Sequence, residues 1–262
     1  GGIAPGKYAD MLVIPNPGII KAEYVISKGK IIAREGNLLV SPRKHAFSKN
    51  SLNSIHLSSE LKPSDFSISV KKRSSHVDVR IIDQVTDLVT KELILSVPVI
   101  DGEIRSDVRK DILKVAAVDR RYSPGQIFVG LIRGFHLSTG AIACSAAWDT
   151  SDIIVVGEND KDMVGAVNRI YDLQGGAVVY SKGKVMAEIP LPLFGVMTDM
   201  SIEMLAKRME EIKKITKDLG FPFDDPLLTV VTLTGAAIPF LRICEEGLVN
   251  LKNGKTLGLI VD

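Results

Sequence analysis

The 262-residue sequence predicts an α+β fold: a small β-sandwich remnant, followed by a mixed or antiparallel sheet domain carrying two main helices. Three observations carry this. Short apolar, β-branched runs recur through both ends of the chain and are separated by polar turns. Only two stretches, around 160–173 and 198–220, hold a sustained helical period. A serine-rich stretch between 41 and 66 separates a small N-terminal piece from the rest, placing the N-terminal segment at 1–44, a linker at 45–66 and the main domain at 67–262.

In chain order, Pro5-Gly6 gives a turn and Met11–Ile14 a strand. Ala22–Ser27 and Lys30–Arg34 make two more strands about Lys28-Gly29, a short polar link that signals a hairpin. Three strands cannot bury a face alone, so this piece is expected to belong to a larger sheet, either here or on a part of the polypeptide outside this chain. The basic run Lys71-Lys72-Arg73 reads as a solvated strand edge, since no aromatic residues interleave with it as stacking platforms. Strands are expected at Val77–Ile82, Leu93–Val99, Ile112–Val118, Ile127–Gly134, Ala141–Trp148 and Ile153–Val156, with a turn at Asp101-Gly102. Asn159 or Asp160 caps a helix on which Met163, Val167, Ile170 and Tyr171 recur at helical spacing. Gly175 and Gly176 stand where a left-handed cap belongs. A second strand–KGK–strand hairpin follows, and Asn253-Gly254 offers a third. Ser201 caps the long helix, whose stripe runs through Ile202, Leu205, Met209, Ile212, Ile215 and Leu219; Gly220 and Pro222 stop it. The last forty residues read as strand and loop.

Composition narrows function by exclusion. A net charge of +2 argues for neither nucleic acid nor an anionic membrane surface. No apolar run reaches the ~20 residues of a spanning helix. The two cysteines, Cys144 and Cys244, read as reduced core thiols of a cytoplasmic protein. The four histidines, His45, His56, His76 and His136, are scattered, with no H-x-H or H-x-x-x-H spacing, so no metal ligand is assigned in this chain. The stretch built for more than packing is the polar knot Trp148-Asp149-Thr150-Ser151-Asp152 between two strands. Its carboxylates suit a cation or a proton if a turn brings them together; equally, the knot is a turn that hydrogen-bonds its own backbone. Ser145 and Cys144 lack an activating histidine nearby in sequence. Arg120 and Arg121, at a strand end, suit an anion clamp or a solvated end.

IAPGKYADMLVIPN with its KGK hairpin resembles the closing β-sandwich segment of the amidohydrolase superfamily. From about residue 77, the stretches DILKVAAVDRR, VGLIRGF, GAIACSAAWD, DIIVVGENDKDMVGAVNRIYDLQGG, GKVMAEIPLPLFGVMTDM and IPFLRICEEGLVN resemble the C-terminal domain of adenine deaminases. The resemblance implies a metal-dependent hydrolase that converts adenine and water to hypoxanthine and ammonia. Its Mn, Fe or Zn centre would lie in a (β/α)₈ barrel upstream of this chain. The present portion would then cover the active site or build the subunit interface of a homo-oligomer. Adenine or a related purine is the implied ligand, with neither nucleic acid nor membrane as partner. The family pattern A-H-D-S-H-N falls on residues 147–152, where Trp148 and Ser151 replace the histidines and Asp149 remains. An Arg-His pair expected before the next strand appears as Arg120-Arg121. Trp148, Asp149, Ser151, Asp152, Arg120 and Arg121 are therefore the substrate-proximal candidates, and no catalytic residue is assigned. The loss of both histidines favours an alternative, a non-catalytic paralogue or assembly module. Action on a different heterocycle is a third possibility.

Overall fold

A computed structural model describes residues 2–43, 45–71 and 74–261, so Lys72-Arg73 of the basic run lies outside the described residues. The chain divides into two compact units, residues 1–46 and 47–262. It has the expected α+β character.

The first unit is a four-stranded antiparallel sheet in the order β1 (Met11–Val13), β2 (Tyr24–Ser27), β3 (Lys30–Arg34), β4 (Asn37–Leu38). The hairpin turn uses Lys28 and Gly29 in the left-handed region, and Asp10 Oδ1 accepts from the Lys28 amide at 2.6 Å. None of its described residues is fully buried, and Leu12 and Leu38 stay more than half exposed. A sheet this small has no second layer of its own to cover either face.

The second unit begins with a short helix, α1 (Lys49–Leu52), and a brief strand, β5 (Ile68–Ser69), paired with β8 (Glu103–Ile104). Its main sheet has eight strands. These are β6 (His76–Gln84), β7 (Thr90–Pro98), β9 (Leu113–Asp119), β10 (Ile127–Arg133), β11 (Ala141–Cys144), β12 (Asp152–Gly157), β13 (Gly176–Ser181) and β14 (Lys184–Pro190). Their order is β14-β13-β11-β12-β9-β10-β6-β7. Every neighbouring pair is antiparallel except β10–β6, which makes the sheet mixed.

β9, β11 and β12 are buried along their whole length because both faces are covered. One face takes α2 (Asp160–Leu173), capped by Asn159, whose side chain accepts from the Asp162 amide at 2.9 Å. Met163, Ala166, Val167 and Ile170 of α2 are buried against Ala143, Val155 and Val178. Full burial of a large aliphatic side chain contributes about 1.5–3 kcal/mol. Gly165 permits the close approach: a Cβ there would sit 2.3 Å from the Tyr180 ring. The other face takes α3 (Ile202–Asp218), α4 (Pro226–Val231) and the three-stranded sheet β15 (Leu241–Cys244), β16 (Gly247–Asn250), β17 (Lys255–Leu257).

Three expectations change. The serine-rich 45–66 stretch is more than a linker, because from Phe47 it belongs to the second unit and buries Ile55, Leu57, Leu61 and Phe66 under α2. The strand expected over Ala141–Trp148 stops at Cys144; beyond it the Ser145 amide turns to the Gly176 carbonyl at 3.0 Å and the Trp148 amide to Val231 at 3.0 Å. The C-terminal stretch holds a helix, α4, where β-branched residues suggested strand. Asp225 caps it, accepting from the Leu228 amide at 2.9 Å, and Pro226 takes the first helical position.

Candidate functional site

The polar knot lies at one end of the main sheet, where β9 and β11 end and β12 and β13 begin. The antiparallel register sets Asp152 directly opposite Asp119, so the two side chains share a face. Their surroundings then separate their chemistry.

Asp119 caps the turn that follows β9. Its carboxylate accepts from the amides of Arg121 at 2.8 Å, Tyr122 at 3.1 Å and Ser123 at 2.5 Å, and from the Ser151 hydroxyl at 3.2 Å. Burial alone would raise its pKa, but these four donors outweigh it and hold the carboxyl below its usual value. Asp152 is 1 % exposed, and neither of its carboxylate oxygens has a hydrogen-bond partner. Burial, helped by repulsion from Glu245 and Asp119, pushes its pKa up to about 7. One acid is thus held ionised and its neighbour is half neutral near physiological pH.

Asp149 goes elsewhere. It adopts a left-handed conformation, φ 61°, and accepts from the Ala236 amide at 2.8 Å. The Trp148 carbonyl accepts from the Thr234 hydroxyl, while its amide bonds Val231. Two bonds from the Trp148 backbone and one carboxylate therefore latch the knot onto the end of α4 and the loop after it. The indole lies near Gly235 and remains 46 % exposed. Asp149 is thus engaged by the Ala236 amide while Asp152 points into the sheet end without a hydrogen-bond partner, and the knot provides no paired-carboxylate cation site.

The two arginines also part. Arg120 is 6 % exposed and donates Nη1 to the Ser54 carbonyl at 3.2 Å, while its Nε is buried without a partner. Burial, with repulsion from Arg121, lowers its pKa. Arg121 is exposed, its guanidinium lying over the Tyr122 ring at 5.6 Å. The pair does not converge as a clamp.

Ser145 and Cys144 have no nucleophilic geometry. The Ser145 hydroxyl donates to the Gly195 carbonyl at 2.6 Å and accepts from the Gly176 amide at 2.9 Å. The Cys144 thiol is buried, which pushes its pKa up to about 11. Both cysteines are free; Cys244 is half-buried rather than a core thiol. Among the described residues, no group of three or more His, Cys, Asp or Glu side chains is arranged to hold a metal ion.

Asp119 and Glu245 are site residues that sequence reasoning passed over. Asp119 had a local signal, an acid at a strand end before a Ser-Pro-Gly turn. Glu245 reaches the site from the β15–β16 turn, which no local pattern connects to residue 152.

Residues 87–255 match the family described as "Adenine deaminase C-terminal domain". The chain belongs to this family. It is 34% identical over 261 residues to an adenine deaminase of Moorella thermoacetica, which covers 99% of the chain and 44% of that protein. It is 34% identical over 261 residues to one from Kosmotoga olearia, covering 100% of the chain and 44% of that protein. An adenine deaminase of Staphylothermus marinus is 33% identical over 265 residues, covering 99% of the chain and 43% of its own length. The chain thus spans less than half the length of these relatives. Within the adenine deaminase C-terminal domain, the knot, Asp119, Arg120 and the β15–β16 turn all fall inside the matched region. Among the described residues, no helix is long and apolar enough to cross a membrane.

Proposed function

We propose that the chain is the C-terminal part of a metal-dependent adenine deaminase, and that its sheet end carrying the knot faces the bound purine. The observation that supports this most is the indole of Trp148, held outward on a backbone-anchored latch beside Asp149. An exposed aromatic face on a rigid support is what stacking on a planar heterocycle requires. In this proposal the metal, Mn, Fe or Zn, and its activated water are assigned, on the family resemblance, to a barrel outside this chain.

In this reading Trp148 stacks on the purine and Asp149 fixes the latch. Asp119, through Ser151, holds the knot to β9. Asp152 is a buried acid whose proton occupancy changes near neutral pH. The test is steady-state adenine hydrolysis by the full-length protein with Mn²⁺ or Fe²⁺ supplied. Trp148→Ala and Asp149→Ala should each raise KM or lower kcat/KM about tenfold or more, while leaving the metal content intact. Absent adenine turnover in the loaded full-length protein refutes the deaminase assignment. Normal kinetics in both variants refute the placement of the knot.

One observation favours the second reading, a non-catalytic paralogue. Trp148 and Ser151 occupy the positions where the family resemblance places histidines, and neither carries an ionisable nitrogen. A full-length protein that retains metal and binds adenine without turning it over would support that reading over the first.

A further inference from the structure

β12 sends alternate residues to opposite faces of the main sheet. Ile153 and Val155 pack with α2, whereas Ile154 and Val156 pack with Leu241, Ile243 and Leu248 of the three-stranded sheet. Asp152 has the parity of Ile154 and Val156. Its carboxyl therefore enters the second layer, where the β15–β16 hairpin turns through Glu245 and Glu246. A bond at the limit of length, 3.5 Å from Gln126 Nε2 to the Glu245 carbonyl, helps hold that turn.

The groups around Asp152 come from four elements. Asp119 lies opposite on β9, with its oxygens occupied by backbone amides and Ser151. Arg120, in the turn after β9, is engaged by the Ser54 carbonyl. Thr150, in the knot, accepts from the Asp152 amide at 3.3 Å. Cys144 ends β11 on the same face, as a buried thiol. Cys244 ends β15, and Glu245 follows it, close enough to Asp152 for a hydrogen bond once one of the two acids carries a proton. Two ionised carboxylates at that separation repel, whereas a single proton between them makes a charge-assisted bond.

We propose that Asp152 and Glu245 share one proton and so form a clamp that holds the β15–β16 turn against the start of β12, closed while the proton is present and released when it is lost. Asp152 is the donor, because it is the more deeply buried of the two and Glu245 keeps contact with water. Burial, with repulsion from Glu245 and Asp119, sets the opening near pH 7. Above it the proton passes to water, two carboxylates face each other, and the turn lifts from the sheet end. The clamp is independent of what Trp148 faces, and its test needs no deaminase activity.

Cys244 is the reporter, because its thiol bonds the amides of the turn, Glu246 and Gly247, and is half-buried there. In a Cys144→Ala background it is the sole thiol of the 262-residue chain. Its rate with a neutral pyridyl disulfide is measured from about pH 5.5 to about pH 8.5 and divided by the rate of the same background carrying Asp152→Asn, which cancels the ordinary rise in thiolate. The ratio should stay within about twofold of unity at the acid end and climb about tenfold or more at the alkaline end, as local opening exposes the thiol. Charge without release gives the opposite sign: an ionised Asp152 beside a closed turn raises the thiol pKa, and the ratio falls below unity. Glu245→Gln, which never carries the second charge, should lose the rise and serves as a second denominator. Glu245→Ala, which removes the acceptor, should react fast already at the acid end, with unchanged circular dichroism. A flat or falling ratio overturns the proposal. So does a rise that persists in Glu245→Gln, or a Glu245→Ala variant as slow as wild type at the acid end.

Discussion

Replacing Asp152 by asparagine isolates the energetic consequence of an acid buried without partners. The native carboxyl, 1 % exposed and unbonded, has its pKa raised from 3.8 to about 7. Between those values the folded chain retains a proton that the unfolded chain has released. The unfolded state thus binds fewer protons, and stability falls as pH rises through the window. Well below the unfolded value of 3.8 both states are protonated and the ionisation penalty vanishes. Above about pH 7 the whole penalty applies. Three units at 1.36 kcal/mol each give about 4 kcal/mol, a ceiling that water entry beside the charged form lowers. Against a typical total stability of about 5–15 kcal/mol, an effect of that size is readily measured. The substituted asparagine has nearly the same shape as the native side chain but never ionises. Its unpartnered amide costs about 1–3 kcal/mol, and that cost is independent of pH. The signature is therefore a slope: urea stability of Asp152→Asn relative to wild type should rise by several kcal/mol between pH 4.5 and pH 8. Glu245→Gln, which removes a repelling carboxylate, should move the wild-type transition to lower pH. Parallel stability profiles for wild type and Asp152→Asn across this range would refute the assignment of a buried, near-neutral acid.

Three further outcomes follow from the same packing. Gly175→Ala places a Cβ 2.3 Å from the Leu191 carbonyl oxygen at φ +123°, so it should destabilise by more than about 2 kcal/mol and lower Tm by several degrees in calorimetry. Arg242, 1 % exposed with its pKa lowered by burial to about 10, donates to the Ile238, Leu88 and Pro239 carbonyls; Arg242→Met strands those acceptors and should cost about 3 kcal/mol or more in urea unfolding. Cys144, with its pKa at about 11, should resist thiol reagents at pH 8 until the chain is unfolded, and Cys144→Ala should leave adenine turnover of the full-length protein unchanged.

The sequence made the scaffold legible where one signal dominated locally. The β-branched run Ile153–Val156 could be only a strand covered on both faces, and it is. The Met163, Val167, Ile170 stripe marked α2 and left its cap between Asn159 and Asp160; the fold takes Asn159. At its other end Gln174 takes the left-handed cap, φ 55°, one residue before the glycines that suited it. What stayed hidden depended on partners distant in sequence. Ile55, Leu57, Leu61 and Phe66 are spaced irregularly among serines, so neither a period of 2 nor one of 3.6 marks them, yet all four are buried by α2. The end of β11 is set by Val231, more than eighty residues away, accepting from Trp148. The same limit applied to the site. Sequence adjacency grouped Asp149 with Asp152 and Arg120 with Arg121. The fold instead groups Asp152 with Asp119 and Glu245, and Arg120 with Ser54 and Gly195.

The two positions where the family resemblance places histidines are not equivalent. At 151 the side chain has work within the fold: its hydroxyl donates to Asp119, the acid that caps the turn after β9. An imidazole there would have to reach the same carboxylate from a half-buried site, so the residue is tied to the stability of the sheet end. At 148 the fold uses only the backbone, with the amide on Val231 and the carbonyl on Thr234. The latch would close around almost any side chain, and the ring itself remains 46 % exposed. Folding therefore leaves residue 148 free, and what the indole faces outside this chain decides whether a tryptophan belongs there. The indole packs partly beside Gly235, yet its 46 % exposure leaves apolar ring surface in water that this packing does not recover. That imbalance is why the functional reading rests on Trp148 rather than on the buried acids beneath it.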